Sequence, residues 1–218
     1  MRPETVNIIV IGYAQPKLER ACLKAIHANT AHPYVLTYFD NYASGWSLTQ
    51  AWNALISASP CDTICLLNND TEVHPDWLTL LYDSLGKRYK DTQGVERKIG
   101  FVGPSTNQCH SVQKTISTFE AAKKHQGKVD ITLQPISGFC LLFDRHTWIS
   151  LNGFDERYTL YGQESDFINR ATVQLNIYCA WRKDAFVFHH GEASVKAAKI
   201  DVEAERKKAK DIYWKERK

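Results

Sequence analysis

Polar side chains stand directly after a buried, strand-like run early in the chain. Residues 63–67 are apolar, and Asn68, Asn69 and Asp70 follow them. A carboxylate in this position can hold Mg²⁺ or Mn²⁺, which favour oxygen ligands and commonly bind one or two carboxylates together with substrate phosphates. Asn and Asp also favour ordinary turns. The segment therefore predicts either a metal-assisted phosphate site or a simple turn.

A second acidic group follows the next strand-like run towards the N-terminus. Residues 34–39 are mostly apolar and aromatic, and Asp40 and Asn41 come after them. An acidic side chain at such a strand end can accept hydrogen bonds from a ribose, as it does in dinucleotide-binding folds. A turn again explains the same residues.

Two further groups suggest proton transfer and metal binding. Glu164 and Asp166 lie two residues apart at the start of a helical pattern, where one of them can serve as a general base. First-turn acids that favour the helix dipole are the alternative. His189 and His190 follow a strand-like run, and neutral imidazole is a common ligand of Mn²⁺-class metals. A structural role for this histidine pair is the alternative.

The elements that must position these residues alternate along the first part of the chain. Apolar runs predict strands at residues 6–11, 34–39 and 63–67, and helical spacing predicts helices at 17–28, 48–58 and 75–85. Such alternation indicates a mostly parallel sheet with helices on both faces. Ligands of these sheets bind beyond the carboxyl ends of the strands, so Tyr13, Asp40 and Asp70 are expected at one edge.

The second part of the chain has a less regular pattern. We expect a polar loop at residues 86–98 and helices at 119–126 and 163–175. Apolar runs predict further strands at 99–102, 136–143, 177–180 and 185–188.

Composition limits the class of protein. The 218 residues are 44% hydrophobic and 23% charged, which fits one globular domain. The net charge of +3 gives no reason to expect nucleic acid, and the basic residues of 196–218 predict a solvated helix. Six cysteines without a C-x-x-C pair predict a reduced, cytoplasmic protein. Neither a signal peptide nor a transmembrane segment is expected, so the protein would be soluble or peripheral at a membrane.

Together the motifs resemble glycosyltransferase family 2, whose members use nucleotide sugars and have the GT-A fold, and within it the rhamnosyltransferase-like subgroup. The match runs in order over residues 6–195. It comprises Gly12-Tyr13, Phe39-Asp40-Asn41, Ala51-Trp52-Asn53, Leu66-Leu67-Asn68-Asn69-Asp70, Ser137-Gly138, Gly153-Phe154-Asp155-Glu156, Tyr161-Gly162-Gln163-Glu164-Ser165-Asp166 with Arg170, and His189 with Ser194.

This resemblance implies a fold and an activity. The fold would be a single GT-A, Rossmann-like α/β domain over residues 1–195, followed by a basic C-terminal helix over 196–218. The activity would be metal-dependent, inverting transfer of a hexose from a nucleotide-diphosphate sugar, UDP-linked by default, to an acceptor hydroxyl. The acceptor, whether a glycan, a lipid-linked sugar or a protein, stays open.

The resemblance also implies roles for individual residues. Asp70 and His189 would hold Mn²⁺ or Mg²⁺, and Glu164 would be the catalytic base, with Asp166 as its rival. The nucleotide sugar would be bound or its site supported by Gly12, Tyr13, Asp40, Asn41, Asn53, Asn68, Asn69 and Gly138.

The sequence departs from the family pattern at several of these positions. Gln163-Glu164 replaces the usual Glu-Asp pair, Asn68 replaces the first acid of the metal motif, and Tyr13 lacks the usual neighbouring Pro and Asn. A nucleotide-sugar-binding domain with little or no transferase activity is therefore the alternative. The acceptor surface is expected from residues 105–135 and 145–162, where Trp148, Tyr158 and Tyr161 offer aromatic rings.

Overall fold

The computed structural model describes residues 4–191 and 197–215, in which a mixed β-sheet carries helices on both faces. The strands are β1 (Val6–Gly12), β2 (Tyr34–Asp40), β3 (Thr63–Asn68), β4 (Thr71–Val73), β5 (Arg88–Lys90), β6 (Glu96–Ser105), β7 (Val129–Thr132), β8 (Cys140–Asp144) and β9 (Ile177–His189). The helices are α1 (Pro16–Asn29), α2 (Leu48–Ser57), α3 (Trp77–Tyr82), α4 (Phe119–Lys123), α5 (Arg145–Ser150), α6 (Gln163–Leu175) and α7 (Val202–Lys215).

The sheet brings distant strand ends to one edge. Its order is β2-β1-β3-β8-β6-β9-β4, with β5 beside β6 and β7 beside β9. Strands β2, β1, β3, β6 and β9 share one direction, whereas β8 and β4 run against them. The carboxyl ends of β1, β2, β3 and β9 therefore lie at the same edge, as the sequence predicted for the first three.

Both faces of the sheet are buried. Along β1, Ile8 and Val10 pack in one cluster with residues of α1 and α3, whereas Ile9 and Ile11 pack in another with residues of α2 and α6. This is why β1 reads as a continuous apolar run instead of an alternating one. The prediction of one α/β domain with helices on both faces is confirmed.

The prediction of a loop at residues 86–98 is wrong. Strand β5 and the start of β6 form an antiparallel hairpin there, with Arg88 paired to Lys98. Most of these side chains are exposed or half-buried, so the hairpin lacks the apolar signal of a strand. The short strands β4 and β7 and the helix α5 were also not predicted.

One predicted boundary in the last strand is also wrong. The two strands expected at 177–180 and 185–188 are one continuous strand, β9. The polar residues between them stay inside the sheet because the Arg182 guanidinium pairs with Asp184 and donates to the Leu80 carbonyl and the Ser84 hydroxyl. Strand β8 begins at Cys140, later than the predicted residue 136.

The basic C-terminal helix packs on the segment that precedes α6. Thr159 donates to the Glu205 carboxylate at 2.6 Å, and the Arg206 guanidinium lies 5.1 Å from the Tyr161 ring centre. Arg206 also lies 3.3 Å from the His110 imidazole. The predicted domain boundary at 195/196 and the motif residue Ser194 lie outside the described residues.

All six cysteines are buried and free of disulfides. Burial raises the pKa of the Cys22 thiol to about 11 and that of Cys179 to about 12. Over residues 4–191 and 197–215, none of the helices is both long enough and apolar enough to cross a bilayer.

Candidate active site

Asp70 meets His189 because a short strand turns the chain back onto the sheet. Strand β4 follows Asp70 at once and pairs with β9, with Thr71 opposite His189. The His190 amide donates to the Asp70 carbonyl at 2.9 Å. Both side chains are buried, and the His189 Nε2 lies 3.2 Å from the Asp70 Oδ1. The structure thus brings the two predicted metal ligands together.

The geometry of this pair fits a divalent cation. The His189 Nδ1 lies 3.0 Å from the Gln108 carbonyl, which can only accept, so Nδ1 carries a proton. In the neutral imidazole, Nε2 then presents its lone pair beside the carboxylate. An octahedral ion with bonds of about 2.1 Å places neighbouring ligand atoms about 3 Å apart, close to the observed separation. Among the described residues, no three acids, histidines or cysteines are arranged so that they could hold a metal ion together, so a diphosphate or water would complete the coordination.

Two neighbours fix the position of His189. Asn107 binds the main chain of His189 twice, accepting from its amide at 2.7 Å and donating to its carbonyl at 3.0 Å. The Phe139 ring stacks on the imidazole at 5.2 Å with an interplanar angle of 16°. Partners of this kind orient a metal ligand and select its tautomer.

Glu19 organises the nucleotide side of the site. Its buried carboxylate accepts four hydrogen bonds: from the amides of Tyr13 and Gln15, from the Asn69 side chain and from the Tyr38 hydroxyl. These donors belong to the loop after β1, the turn after β3 and strand β2. One carboxylate therefore connects all three strand ends of the predicted nucleotide site.

Tyr38 and Gly12 illustrate how closely this region is packed. Burial and the contact with Glu19 raise the pKa of Tyr38 to about 12. A Cβ at Gly12 would overlap the Tyr38 hydroxyl, so a larger residue there would displace the Tyr38 ring from Glu19. Tyr13 packs edge-on against the exposed Tyr42 at 5.5 Å.

The other polar residues predicted to bind the nucleotide, at the ends of β2 and β3, differ in their exposure. Asp40 is exposed and accepts a hydrogen bond from the Tyr42 amide, whereas Asn41 is buried and donates to the Trp46 carbonyl. The Asn68 side chain is half-buried at the end of β3. Asp40 and Asn68 thus face the solvent more than Asn41, which holds its loop in place.

Asn53 connects α2 to the turn at 152–156. Its amide nitrogen donates to the Phe154 carbonyl at 2.9 Å and to Glu156 at 3.1 Å. Its oxygen accepts from the Trp148 indole at 3.0 Å and from the Phe154 amide at 2.9 Å. These four bonds use the amide fully, so Asn53 holds α2 against this turn, and its role in supporting the nucleotide site stays a prediction.

Glu164 has the environment of a general base. It lies in the first turn of α6, is half-buried, and accepts a hydrogen bond from the Gly138 amide. Burial raises the pKa of Glu164, and the backbone hydrogen bonds oppose this shift in part. A Cβ at Gly138 would lie 3.0 Å from the Glu164 Cγ, so glycine leaves room for the carboxylate.

Asp166 is committed to an ion pair instead. It is buried and accepts from the Arg170 Nε at 2.8 Å. The same guanidinium donates to the carbonyls of Leu151 and Gly153 at 2.8 and 2.9 Å. Asp166 therefore ties α6 to the preceding turn, whereas the choice of Glu164 as the base stays a prediction.

The Asp70–His189 pair and Glu164 are linked through two consecutive residues, Gly138 and Phe139. Phe139 stacks on His189, and its carbonyl accepts from the Asn68 amide at 2.8 Å. Gly138 contacts Glu164. The segment before strand β8 thus joins the Asp70–His189 pair to the half-buried carboxylate of Glu164.

Sequence reasoning missed Glu19, Asn107, Gln108 and Phe139. Glu19 sits in a helix with many charges and looks like a solvated residue, and Asn107 and Gln108 lie in a polar loop. Of the aromatic residues expected on the acceptor side, Tyr158 is buried, whereas Trp148 and Tyr161 are half-buried.

Comparisons with known proteins bear on the fold. No protein-family model matches the sequence, and no curated protein matches it. A crystal structure of GalNAc-T7 with UDP, GalNAc and Mn²⁺ matches with a TM-score of 0.56 and 13% identity, covering 86% of this chain and 44% of that one. The mannosyltransferase PcManGT from Pyrobaculum calidifontis, in complex with GDP-Man and Mn²⁺, matches with a TM-score of 0.57 and 13% identity, covering 87% and 57%.

A third match is the catalytic domain of Drosophila β1,4-galactosyltransferase 7 in complex with xylobiose. It has a TM-score of 0.51 and 13% identity and covers 82% of this chain and 65% of that one. The chain therefore spans less than two thirds of each of these proteins. The shared architecture establishes the GT-A glycosyltransferase fold, whereas membership of family 2 and of its rhamnosyltransferase-like subgroup stays a prediction.

Proposed function

We propose that this protein is a metal-dependent, inverting glycosyltransferase that moves a hexose from a nucleotide-diphosphate sugar to an acceptor hydroxyl. The observation that carries the proposal is the arrangement at 138–139, where one short segment contacts both the Asp70–His189 pair and Glu164. The GT-A fold of the neighbouring structures and the Mn²⁺ in two of them support it.

Asp70 and His189 would hold Mn²⁺ or Mg²⁺. When bound, the ion supplies electrostatic stabilisation to the departing nucleoside diphosphate. Asn107 holds the main chain of His189, and the Gln108 carbonyl keeps its imidazole in the tautomer that presents Nε2. Glu19 holds the Tyr13 loop and Asn69 in the positions where they would meet the nucleotide, and Asp40 remains exposed for the base or ribose.

Glu164 would take the proton of the acceptor hydroxyl. The acceptor oxygen then forms a bond to the anomeric carbon on the face opposite the diphosphate, and the bond from that carbon to the phosphate oxygen breaks. The configuration at the anomeric carbon inverts. A base with a raised pKa is suited to this step, because it holds a proton more strongly than an ordinary glutamate.

Calorimetry tests the donor site first. UDP, GDP and dTDP would each be titrated into the protein with and without Mn²⁺, and into Asp70→Ala and the matched control Asp211→Ala, which changes an exposed acid of α7. We expect one nucleotide, UDP by default, to bind in a manner that needs both Mn²⁺ and Asp70. Absence of nucleotide binding under every condition would refute the proposal.

Turnover separates a transferase from a binding domain. Nucleotide release would be followed with the matching nucleotide sugar in the presence of glycan, lipid-linked and peptide acceptors. Sustained release that depends on an acceptor and on Glu164 supports the transferase. Metal-dependent binding without such release would instead identify a nucleotide-sugar-binding domain.

A further inference from the structure

A groove of about 600 Å³ lies between α2 and α5, to one side of the candidate active site. Its lining includes Trp46, Gln50, Trp148, Ile149, Asn152 and Glu156. Asn53 also lines it, whereas Asp70, His189 and Glu164 do not. A second cavity of about 500 Å³ shares Asn53, Asn152, Gly153 and Glu156 with the first, so the two adjoin across the turn at 152–156.

Apolar surface in the groove is exposed and fixed in place. Trp46 is 46% exposed and Ile149 is 54% exposed, although both are large apolar side chains. The Trp148 indole is anchored by its hydrogen bond to Asn53, and the Trp46 ring rests against Phe39 at 5.6 Å. Rings held in this way lose little freedom when a ligand binds.

Polar groups stand beside these rings. The Gln50 side-chain oxygen accepts from the Ser47 amide in the cap of α2. The side-chain nitrogen of Gln50 can therefore donate to a ligand. Glu156 uses one carboxylate oxygen for Asn53, and the other remains for a ligand. The exposed Asn152 adds a further amide. The groove therefore combines indole surface with separate donors and acceptors.

We propose that this groove binds sugar residues of a neutral oligosaccharide, as a site for the part of the acceptor that lies away from the reacting hydroxyl. The acceptor role rests on the proposed function. Sugar rings offer apolar C–H faces to aromatic side chains and hydroxyl edges to amides and carboxylates, which are the two kinds of group present. The lining of the larger cavity contains no Lys or Arg, so phosphate groups and acidic sugars lack a counter-charge there.

Hydrogen bonds connect the groove to α6, the helix that carries the candidate base. Its turn contributes the carbonyls of Leu151 and Gly153, and both accept hydrogen bonds from Arg170 of α6. Arg170 pairs with Asp166, two residues after Glu164. A saccharide in the groove would therefore contact the turn that is hydrogen-bonded to α6, the helix that carries Glu164.

The test uses the indole N–H signals of the six tryptophans in ¹H–¹⁵N NMR spectra. Maltohexaose, cellohexaose, chitohexaose and mannohexaose would be added separately, without nucleotide or metal. We expect at least one to shift the signals of Trp46 and Trp148 in a saturable manner. Trp46→Ala should weaken binding roughly two- to tenfold, the value of one aromatic contact, and the control Trp214→Ala, at an exposed ring of α7, should leave it unchanged.

A second variant guards against misfolding. Asn152 has a φ of 56°, which glycine adopts readily, so Asn152→Gly removes the amide without backbone strain. It should also weaken binding. The proposal is overturned if none of the four hexasaccharides shifts these signals, if Trp46→Ala and Asn152→Gly bind as well as the parent protein, or if the signals shift with protein concentration alone, which would mark a contact between copies.

The titration also separates this proposal from the proposed function. Asp70→Ala should bind the hexasaccharide as the parent protein does, because Asp70 lies outside the groove. If the parent protein bound no nucleotide but kept the saccharide shifts, the transferase alone would be refuted. Nucleotide binding without saccharide shifts would refute the groove alone.

Discussion

The two halves of the site edge hold their functional residues in different ways. Around β1, β2 and β3, one buried carboxylate, Glu19, accepts from side chains and amides of three segments. Around β8 and β9, several separate groups do the holding: the Gln108 carbonyl and the Asn107 side chain bind His189, and the Gly138 amide contacts Glu164. The β1–β3 half therefore depends on one charge that a single substitution removes, whereas the β8–β9 half depends on several contacts, two of them made by main-chain groups.

Replacing the base should have the largest effect on rate. In Glu164→Gln the side chain keeps its shape and can still accept from the Gly138 amide, but it takes no proton. We expect transfer to fall roughly 10²- to 10⁴-fold with nucleotide binding retained. Thermal unfolding should show equal or greater stability, because the raised pKa means that ionised Glu164 costs folding free energy at neutral pH.

Asp166→Asn is the matched control for that variant. It breaks the ion pair with Arg170, so its main effect should be a lower melting temperature. The rate per folded molecule should change less. If Asp166→Asn abolished transfer with folding and nucleotide binding intact, while Glu164→Gln remained active, the base would be Asp166.

Removing Glu19 should damage the β1–β3 half as a unit. Glu19→Ala leaves the Tyr13 amide, the Asn69 amide and the Tyr38 hydroxyl without their shared acceptor. We expect a loss of about 2–4 kcal/mol in the free energy of unfolding, measured in urea, together with weaker nucleotide binding. The control is Glu203→Ala, which removes an exposed glutamate of another helix, α7. Unchanged stability in Glu19→Ala would show that solvent replaces the carboxylate.

Asn107→Ala should loosen His189 without touching its imidazole. The variant loses both hydrogen bonds to the His189 main chain. The stacking on Phe139 and the contact with the Gln108 carbonyl remain, but they hold the imidazole less firmly. We expect Mn²⁺-dependent nucleotide binding to weaken about 10-fold, at the low end for residues that orient a metal ligand. Calorimetry checks this, with the exposed Gln126→Ala as control. Equal affinities would show that the main chain alone fixes His189.

The dependence of kcat/KM on pH is the smallest of the expected effects, and it is gradual. Since burial raises the pKa of Glu164, log(kcat/KM) should rise with pH, with unit slope, up to a midpoint above the usual value of 4.5, and then level off. The stability that protonated Glu164 contributes is fully present below the unfolded pKa and is lost as pH rises through the folded one. An acid limb centred at or below 4.5, or a limb that persists in Glu164→Gln, would contradict this assignment.

Candidates for the reacting groups were easier to find in the sequence than the residues that hold them in place. Strand β3 and its Asp70 were recognisable because a buried run ends in a polar turn, and α6 was predicted with the bounds it has. Glu19 was not recognisable, because a glutamate in a charged helix has no local sign of its partners in β2 and β3. The pairing of β4 with β9 was missed because three residues carry too little pattern.

The burial of every thiol has a practical consequence for spectroscopy. With all six cysteines buried, and the pKa of Cys22 and Cys179 raised to about 11 and about 12, the native thiols resist maleimide at neutral pH. A cysteine introduced at Val173, which is 84% exposed on α6, would then take a dye or spin label in the otherwise wild-type chain. Such a probe would report directly whether helix α6, which carries Glu164 in its first turn, moves when nucleotide or saccharide binds.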